Sequence, residues 1–305
     1  MKLILSSLLA TCAFLTACSD SGSNNKNNPG LYTFSKDFQP SHKPTNAAPV
    51  SYLKDVMVSI KDSNLYIPSD AAFFNVIADG SDLKQIWDGS PERQEAFKKL
   101  NSEGLRFVNE IRTTCTINDA RKTESGDVRQ GSTKTQSISM STSGNTCPFL
   151  VSKTDSTATT YDLINLNQAA QSVRIVMRVE GTNSESREVR SQRVSDLSGL
   201  RSFAINLRFN GNADVTQTET TQTMKMRIEG SGSLMLALSN GDTVRGPLSM
   251  EAVGTEQGME SRFLFEGQSN QGAIRVVVIT KANQAPEIYL NGEKLDAGAF
   301  GVIPF

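Results

Sequence analysis

The chain has 305 residues, of which 31 are Lys or Arg and 32 are Asp or Glu, so its formal net charge is −1. This balance excludes the strongly basic surfaces with which proteins bind nucleic acid or anionic lipid through charge alone. Hydrophobic residues make up 37% of the chain, which is enough for a polypeptide of this length to bury one or two cores.

The first eighteen residues carry the most informative motif. Lys2 precedes an apolar run that ends in Leu15-Thr16-Ala17-Cys18. The run is shorter than the roughly 20 residues that span a bilayer, and it has the length of a signal-peptide core. The motif resembles the lipobox of bacterial lipoproteins, in which the signal peptide is cleaved in front of a cysteine that becomes lipidated.

The resemblance implies that residues 1–17 are removed and that Cys18 carries the acyl chains. Two or more acyl chains hold a protein firmly to a bilayer, whereas one chain binds marginally. Ser19, rather than Asp, follows the cysteine, which in this family implies sorting to the outer membrane. An ordinary signal peptide with an incidental cysteine is the alternative.

Residues 18–50 are predicted to form a flexible tether. Residues 19–30 are of low complexity, rich in Ser, Asn and Gly, and have no apolar surface to bury. Leu31, Tyr32, Phe34 and Phe38 are the exception, since their apolar groups can dock onto the folded body or a partner.

Residues 51–128 are predicted to form a small helical part that packs on a sheet. Weak alternation from Tyr52 to Ile60 favours a first strand, and residues 71–78 favour a short helix. The clearest helix begins at Ser90-Pro91, a good N-cap followed by proline at the first helical position. Apolar residues from Phe97 to Ile111 then recur every three or four positions, so one helix face is apolar.

Cys115 and Cys147 are the two cysteines outside the first eighteen residues. In an exported protein such a pair favours a disulfide, with free thiols or a metal site as alternatives. A disulfide closing this loop is worth about 3–4 kcal/mol. Residues 116–146 between them are polar, and we expect an exposed loop or hairpin clamped at its base.

Residues 129–305 show the period-two alternation of strands, with Asn-Gly pairs that favour hairpin turns at 210–211, 240–241 and 291–292. Local turns make neighbouring strands antiparallel. The predicted fold is therefore α+β, a mainly antiparallel β meander (half-barrel or sandwich) of roughly eight to ten strands with a small helical N-terminal part. The alternating apolar positions are Val173 to Val179, Phe203 to Phe209, Met224 to Ile228, Leu234 to Leu238, Phe263 with Phe265, and Ile274 to Val278.

No residue pattern indicates catalysis, a cofactor or a metal. His42 is the only histidine and falls in the predicted tether, so histidine-based triads and most catalytic zinc sites are excluded. Paired carboxylates remain as candidates for a hydrolase. The acids considered are Glu251, Glu256, Glu260 and Glu266, and we expect them on the solvated face of a hairpin.

Two functions follow from this sequence. The first is a lipid-anchored protein of the cell envelope with a non-catalytic binding or scaffold role, which contacts an envelope protein through residues 116–146 or 216–223. The Thr-rich run 216–223 is expected to extend a hairpin or to offer an exposed edge for strand addition. The alternative is a carrier of an apolar or lipid ligand, in a cavity lined by Phe203, Phe209, Met224, Met226 and Phe263.

Overall fold

The computed structural model describes residues 33–66, 114–192, 195–196, 199–255, 258–282 and 284–295. Within these ranges the chain forms one helix, α1 (Val50–Tyr66), followed by eleven strands. The strands are β1 (Thr116–Ser125), β2 (Thr133–Ser143), β3 (Phe149–Asn167), β4 (Ser172–Val189), β5 (Leu200–Gln217), β6 (Gln222–Leu238), β7 (Thr243–Thr255), β8 (Gly258–Ser269), β9 (Gly272–Lys281), β10 (Glu287–Leu290) and β11 (Glu293–Lys294).

All eleven strands form one hydrogen-bonded sheet in the order β1 to β11, and each is antiparallel to its neighbours. The predicted antiparallel meander with a small helical part is therefore confirmed. The sheet is continuous and open, with β1 and β11 at its edges. Its first strand starts at Thr116, inside the range predicted for the helical part.

The alternation of apolar and polar residues gives the sheet two distinct faces. The face that carries Phe209, Leu236 and Leu248, which belong to the main hydrophobic cluster, is called the inner face. The opposite face is called the outer face. From Ile205 to Phe209 the odd-numbered side chains of β5 point inward and are buried, while Asn206 and Arg208 between them are exposed. A sheet covered on one face and wet on the other produces this pattern.

The segment Tyr52–Ile60, predicted as a first strand, is helical and lies within α1, so that prediction is wrong. Leu53 and Val56 are buried in the main cluster, and Met57 and Ile60 pack against it. These positions recur every three or four residues, which is the helical period. The contacts made by this stripe decide the conformation, and they outweigh the weak alternation in the sequence.

A hydrogen bond fixes α1 to two hairpin turns of the sheet. The Tyr52 hydroxyl donates to Asp242 Oδ2 over 2.5 Å, and Asp242 Oδ1 accepts the backbone N–H of Thr243 and of Asn270 over 2.7 and 3.1 Å. Burial and the bond to Asp242 raise the pKa of Tyr52 to about 12. Burial alone raises the pKa of Asp242, but its three hydrogen bonds outweigh burial and hold it below its ordinary value.

Two of the three predicted Asn-Gly turns are confirmed. Asn240-Gly241 joins β6 to β7, and Asn291-Gly292 joins β10 to β11. At the second turn Asn291 has a φ of 49° and Gly292 a φ of 84°, the left-handed conformation that favours these two residue types. Asn291 also ties the turn to the sheet, since its side-chain oxygen accepts the Arg275 N–H over 2.7 Å.

The predicted turn at Asn210-Gly211 is wrong, because both residues lie inside β5. Gly211 faces Ile228 of β6. A Cβ atom at Gly211 would lie 2.4 Å from the Arg227 carbonyl oxygen and 2.7 Å from Ile228 Cγ1. The glycine therefore permits close packing between strands rather than a reversal of the chain.

Residues 33–49, here called the strap, lie on the sheet, although the sequence places them in the predicted tether. Phe38 is only 1% exposed, and the Arg275 guanidinium on the outer face donates to the backbone carbonyls of Phe38 and Gln39. Farther along, Ala48 N–H donates to the Ala273 carbonyl over 2.8 Å. The buried aromatic ring and these backbone bonds explain why the described part of the predicted tether is docked.

The strap passes from one face of the sheet to the other. Its backbone at Ser41 runs beside the β10–β11 turn, within 2.6 Å of the place a Cβ of Gly292 would occupy. Ala48 then enters the inner hydrophobic cluster, and α1 continues on that face. The strap thus wraps around the end of the sheet that contains β9, β10 and β11.

Several predicted features lie outside the described residues: the helices at 71–78 and from Ser90 onward, Cys18, and Glu256. Within the ranges that are described, no helical segment combines the length and the apolar character that a membrane crossing requires.

Candidate binding surfaces

Cys115 and Cys147 form a disulfide, with their Cα atoms 4.6 Å apart. The residues between them fold into the antiparallel pair β1–β2. The predicted hairpin clamped at its base by a disulfide is therefore present. The predicted lipidation site, Cys18, is not among the described residues.

The β1–β2 hairpin forms one edge of the sheet. β1 pairs with β2 on one side, and a bulge between Asn118 and Arg121 interrupts the register. Residues 121–131 are all exposed. An edge strand of this kind leaves half of its backbone N–H and C=O groups pointing away from the sheet.

Side chains stiffen the hairpin without covering its edge. The hydroxyls of Thr123 and Ser137 lie 2.6 Å apart. On the other face Lys134 of β2 pairs with Glu124 of β1, and the hydrogen bond from this ammonium holds the pKa of Glu124 below its ordinary value. Because the ion pair is exposed to water, it orders the side chains and adds little to stability.

The two edges of the sheet differ. β11 has two residues, and the strap passes beside the turn that precedes it. β1 has ten residues and is exposed from Arg121 onward. Among the described strands, the longer free edge therefore lies at the end of the sheet opposite the strap.

The Thr-rich run 216–223 forms the turn between β5 and β6. Thr218 N–H donates to the Thr221 carbonyl over 2.7 Å, and the Thr218 hydroxyl accepts the Thr221 N–H over 2.9 Å. The predicted hairpin extension is confirmed. Both β5 and β6 have a neighbour on each side, so this run does not lie at a free edge for strand addition.

Neutral hydroxyl groups cover the outer face of β3 and β4. Ser152 lies opposite Ser186, Thr154 opposite Ser184, and Ser156 opposite Thr182, and all six residues are exposed. Ser184 also donates to the Asn206 side chain of β5 over 2.7 Å. This part of the outer face is therefore a solvent-exposed surface that is uncharged and can form hydrogen bonds.

The inner face of β3 and β4 carries a buried ionic cluster that the sequence did not single out. Lys153 Nζ lies 3.4 Å from Asp155 and 3.7 Å from Glu185, and Arg187 also bonds Glu185. The Arg187 guanidinium lies 5.6 Å from the centre of the Phe203 ring. Two positive groups balance two negative ones, so the cluster compensates its own charge as buried ion pairs must. In the sequence, the only sign of this cluster is that its two charged residues on each strand are two positions apart and so share a face.

The three described carboxylates among those considered for catalysis each pair with an arginine. Glu251 is 0% exposed and lies 3.1 Å from Arg227 Nε. Glu260 accepts from Arg262 over 2.9 Å, and Glu266 accepts from Arg275 over 3.2 Å. All three lie on the outer face, where Glu251 and Glu266 bridge to neighbouring strands and Glu260 pairs within β8. The expected solvated position is wrong for Glu251, which is buried.

Glu251 also holds the strap. Its carboxylate oxygens accept the backbone N–H of Ser35 over 2.8 Å and of Lys36 over 3.2 Å. Next to it, Phe34 lies under the guanidinium of Arg262, 3.8 Å from the ring centre. A buried carboxylate that accepts two backbone N–H groups and contacts an arginine is a strong local anchor.

The residues proposed to line a ligand cavity belong to one hydrophobic cluster. Phe209 and Met226 are buried, and Phe203, Met224 and Phe263 are partly buried against them. His42 lies in the strap. Across the described ranges, no group of three or more His, Cys, Asp or Glu side chains is placed to hold a metal ion.

Comparison of the chain with protein-family models, with curated proteins and with solved structures gives no match. The function is therefore inferred from the chain's own residues and geometry.

Proposed function

We propose that this protein is a lipid-anchored lipoprotein of the bacterial cell envelope, at the outer membrane, with a non-catalytic binding role. The lipobox-like sequence ending at Cys18 supports the anchor. The observation that carries the binding role is the exposed β1 edge, at the end of the sheet opposite the strap. An exposed strand edge can pair with an extended segment of another protein.

The charged groups of the sheet support a binding role rather than catalysis. Glu251, Glu260 and Glu266 each contact an arginine, and the charges of the inner ionic cluster balance. A general acid or base must reach a substrate, whereas Glu251 is enclosed beneath the strap.

The anchor is tested by replacing Cys18 with serine in the full chain, with Cys12→Ser as the matched control. Cys12 lies inside the segment that cleavage would remove. We expect Cys18→Ser to abolish the mass increase from acylation and to move the protein from the detergent phase to the aqueous phase, while Cys12→Ser behaves as wild type. Unchanged mass and partitioning of Cys18→Ser would contradict the anchor.

The binding role is tested with a photo-crosslinking residue at Thr123 on the exposed edge, in cells that make the full chain. The control position is Gln168, which is also exposed and lies in the β3–β4 turn. We expect a discrete crosslinked protein product from Thr123 and none from Gln168. If neither position, or both positions alike, gave products, the edge would not be a specific binding site.

The carrier function remains the second candidate. It is favoured by the partial exposure of Phe203, Met224 and Phe263 beside the buried Phe209 and Met226. Native mass spectrometry of protein extracted from the envelope distinguishes the two. A stoichiometric adduct of lipid mass, beyond the covalent acyl chains, would favour the carrier, and its absence would favour the binding role.

A further inference from the structure

The free edge of β1 has one stretch that is suited to regular pairing. Beyond the bulge, residues Arg121 to Ser125 pair with β2 without interruption, and all five are exposed. Their outward N–H and C=O groups can accept another strand. The charges along this stretch restrict which strand fits, since like charges facing each other across antiparallel strands are unfavourable.

A second copy of the chain can meet this edge with two-fold symmetry. When two identical antiparallel strands pair about an axis perpendicular to the sheet, one residue lies opposite its own copy. A register centred on Arg121, on Lys122 or on Glu124 brings identical charges face to face. The registers centred on Thr123 and on Ser125 avoid this clash. The Ser125 register sets Lys122 opposite Val128 and Glu124 opposite Gly126, so it gains no opposite-charge pair.

The Thr123 register also brings opposite charges together. It places Lys122 opposite Glu124 of the second copy, and symmetry repeats the pair. Thr123 faces its own copy, and threonine pairs in this position are favourable. Within one copy, Glu124 bonds Lys134 and also interacts with the charge of Lys122. Lys122 of the second copy would approach the same carboxylate from the other side of the edge.

We propose that β1 binds β1 of a second copy in the antiparallel register centred on Thr123, which joins two eleven-stranded sheets into one. This inference rests on the binding role proposed for the edge and is independent of the lipid anchor. It commits the edge to one partner, the same chain.

Single cysteines at the edge test the register in the full-length protein. Directly opposite Cα atoms in an antiparallel pair lie about 4.5–5.5 Å apart, which a disulfide can bridge. We expect Thr123→Cys to form a disulfide-linked dimer under mild oxidation. Ser125→Cys is the matched control, because its copies would be about 14 Å apart along the strands. Equal crosslinking of both variants, or of neither, would overturn the register.

Charge inversion tests the same register without a covalent bond. Lys122→Glu and Glu124→Lys each place like charges opposite each other, so each purified variant should have a dimer dissociation constant at least tenfold above that of the wild type. A mixture of the two restores both opposite-charge pairs and should form a heterodimer in native mass spectrometry. Restored association in the mixture also shows that neither variant has simply failed to fold.

Arg208→Glu is the control for charge inversion, because Arg208 is exposed in the interior strand β5; we expect it to dimerise as wild type does. Wild type that stays monomeric, or a mixture that stays monomeric, would overturn the proposal. If the Thr123 photo-probe then captured a different envelope protein, the proposed function would stand while the self-pairing would fall.

Discussion

Asp242 shows how one carboxylate can connect three separate parts of the chain. It accepts hydrogen bonds from Tyr52 of α1, from Thr243 at the start of β7 and from Asn270 in the β8–β9 turn. Each of these three donors forms its strongest hydrogen bond when the Asp242 carboxyl group is ionised. The position of α1 on the sheet therefore depends on the charge of this single group.

We predict that protonation of Asp242 destabilises the protein in acid. The pKa of Asp242 is lower in the folded chain than its ordinary value. The stability contributed by its ionised form is therefore complete above about pH 4, and it is lost as the pH falls through the pKa of the folded protein. Asp242→Asn should lower the free energy of unfolding at pH 7 by about 1.5–3 kcal/mol, the value of hydrogen bonds to a charged acceptor. Urea unfolding from pH 7 to pH 2 measures both effects.

The difference between wild type and Asp242→Asn should shrink as the pH falls. Tyr52→Phe is the companion variant on the alkaline side. The pKa of Tyr52 is raised to about 12. The stability contributed by its protonated hydroxyl is therefore present below about pH 10 and is lost as the pH rises through about 12. Tyr52→Phe should remove this alkaline loss of stability. An acid profile of Asp242→Asn that parallels the wild type would contradict the role of the charge.

At the residue scale, the sequence predicted the disulfide but not the buried charges. Two cysteines in a chain that is expected to be exported have few partners other than each other, so Cys115 and Cys147 could be paired from their number. Glu251 meets Ser35 across 216 positions of sequence. No local pattern marks such a contact, because the partners become neighbours only when the strap has docked.

At the scale of elements, strand faces were predictable and strand lengths were not. Met224 to Ile228 and Leu234 to Leu238 read as two apolar runs, but both belong to β6. Gly230 and Gly232 lie between the two runs, so the runs look like separate strands in the sequence. In the structure, a Cβ at Gly230 would meet the Met250 side chain at 2.6 Å, so the missing side chain makes room for the neighbouring strand.

At this scale, we predict that the docking of the strap depends on Glu251. Replacing Glu251 with alanine removes the acceptor for the Ser35 and Lys36 N–H groups. Hydrogen bonds to a charged acceptor are worth about 1.5–3 kcal/mol, so local opening of the strap should become roughly tenfold to a hundredfold more frequent. Hydrogen exchange of the Ser35 and Lys36 amides measures this opening directly.

Asp162→Ala is the matched control for Glu251→Ala. Asp162 also pairs with an arginine, Arg178, but both side chains are exposed and lie on β3 and β4 rather than beside the strap. We expect no change in exchange at Ser35 and Lys36, since an exposed ion pair is worth about 0–1 kcal/mol and this one does not contact the strap. Equal protection of these amides in Glu251→Ala and wild type would show that Glu251 does not hold the strap.

At the scale of the whole molecule, the sheet has two unlike ends. The strap covers the outer face from Glu251 of β7 to Arg275 of β9 and passes beside the β10–β11 turn. On the inner face, α1 packs beside β5 and the β6–β7 turn. The β1–β2 hairpin at the other end is held by its disulfide and by exposed polar contacts. Partner binding at the β1 end would therefore leave the end covered by the strap undisturbed.

The route of the strap also decides how the protein bears a mechanical load. A pull on the chain from its N-terminal side reaches the bonds to Glu251 and Arg275 before it reaches α1. These bonds lie one after another along the strap, first to β7 and then to β9, so they bear the load in turn. The packing of Leu53 and Val56 bears no load until they have broken, so a pull through the proposed lipid anchor would open the strap before it reached the core.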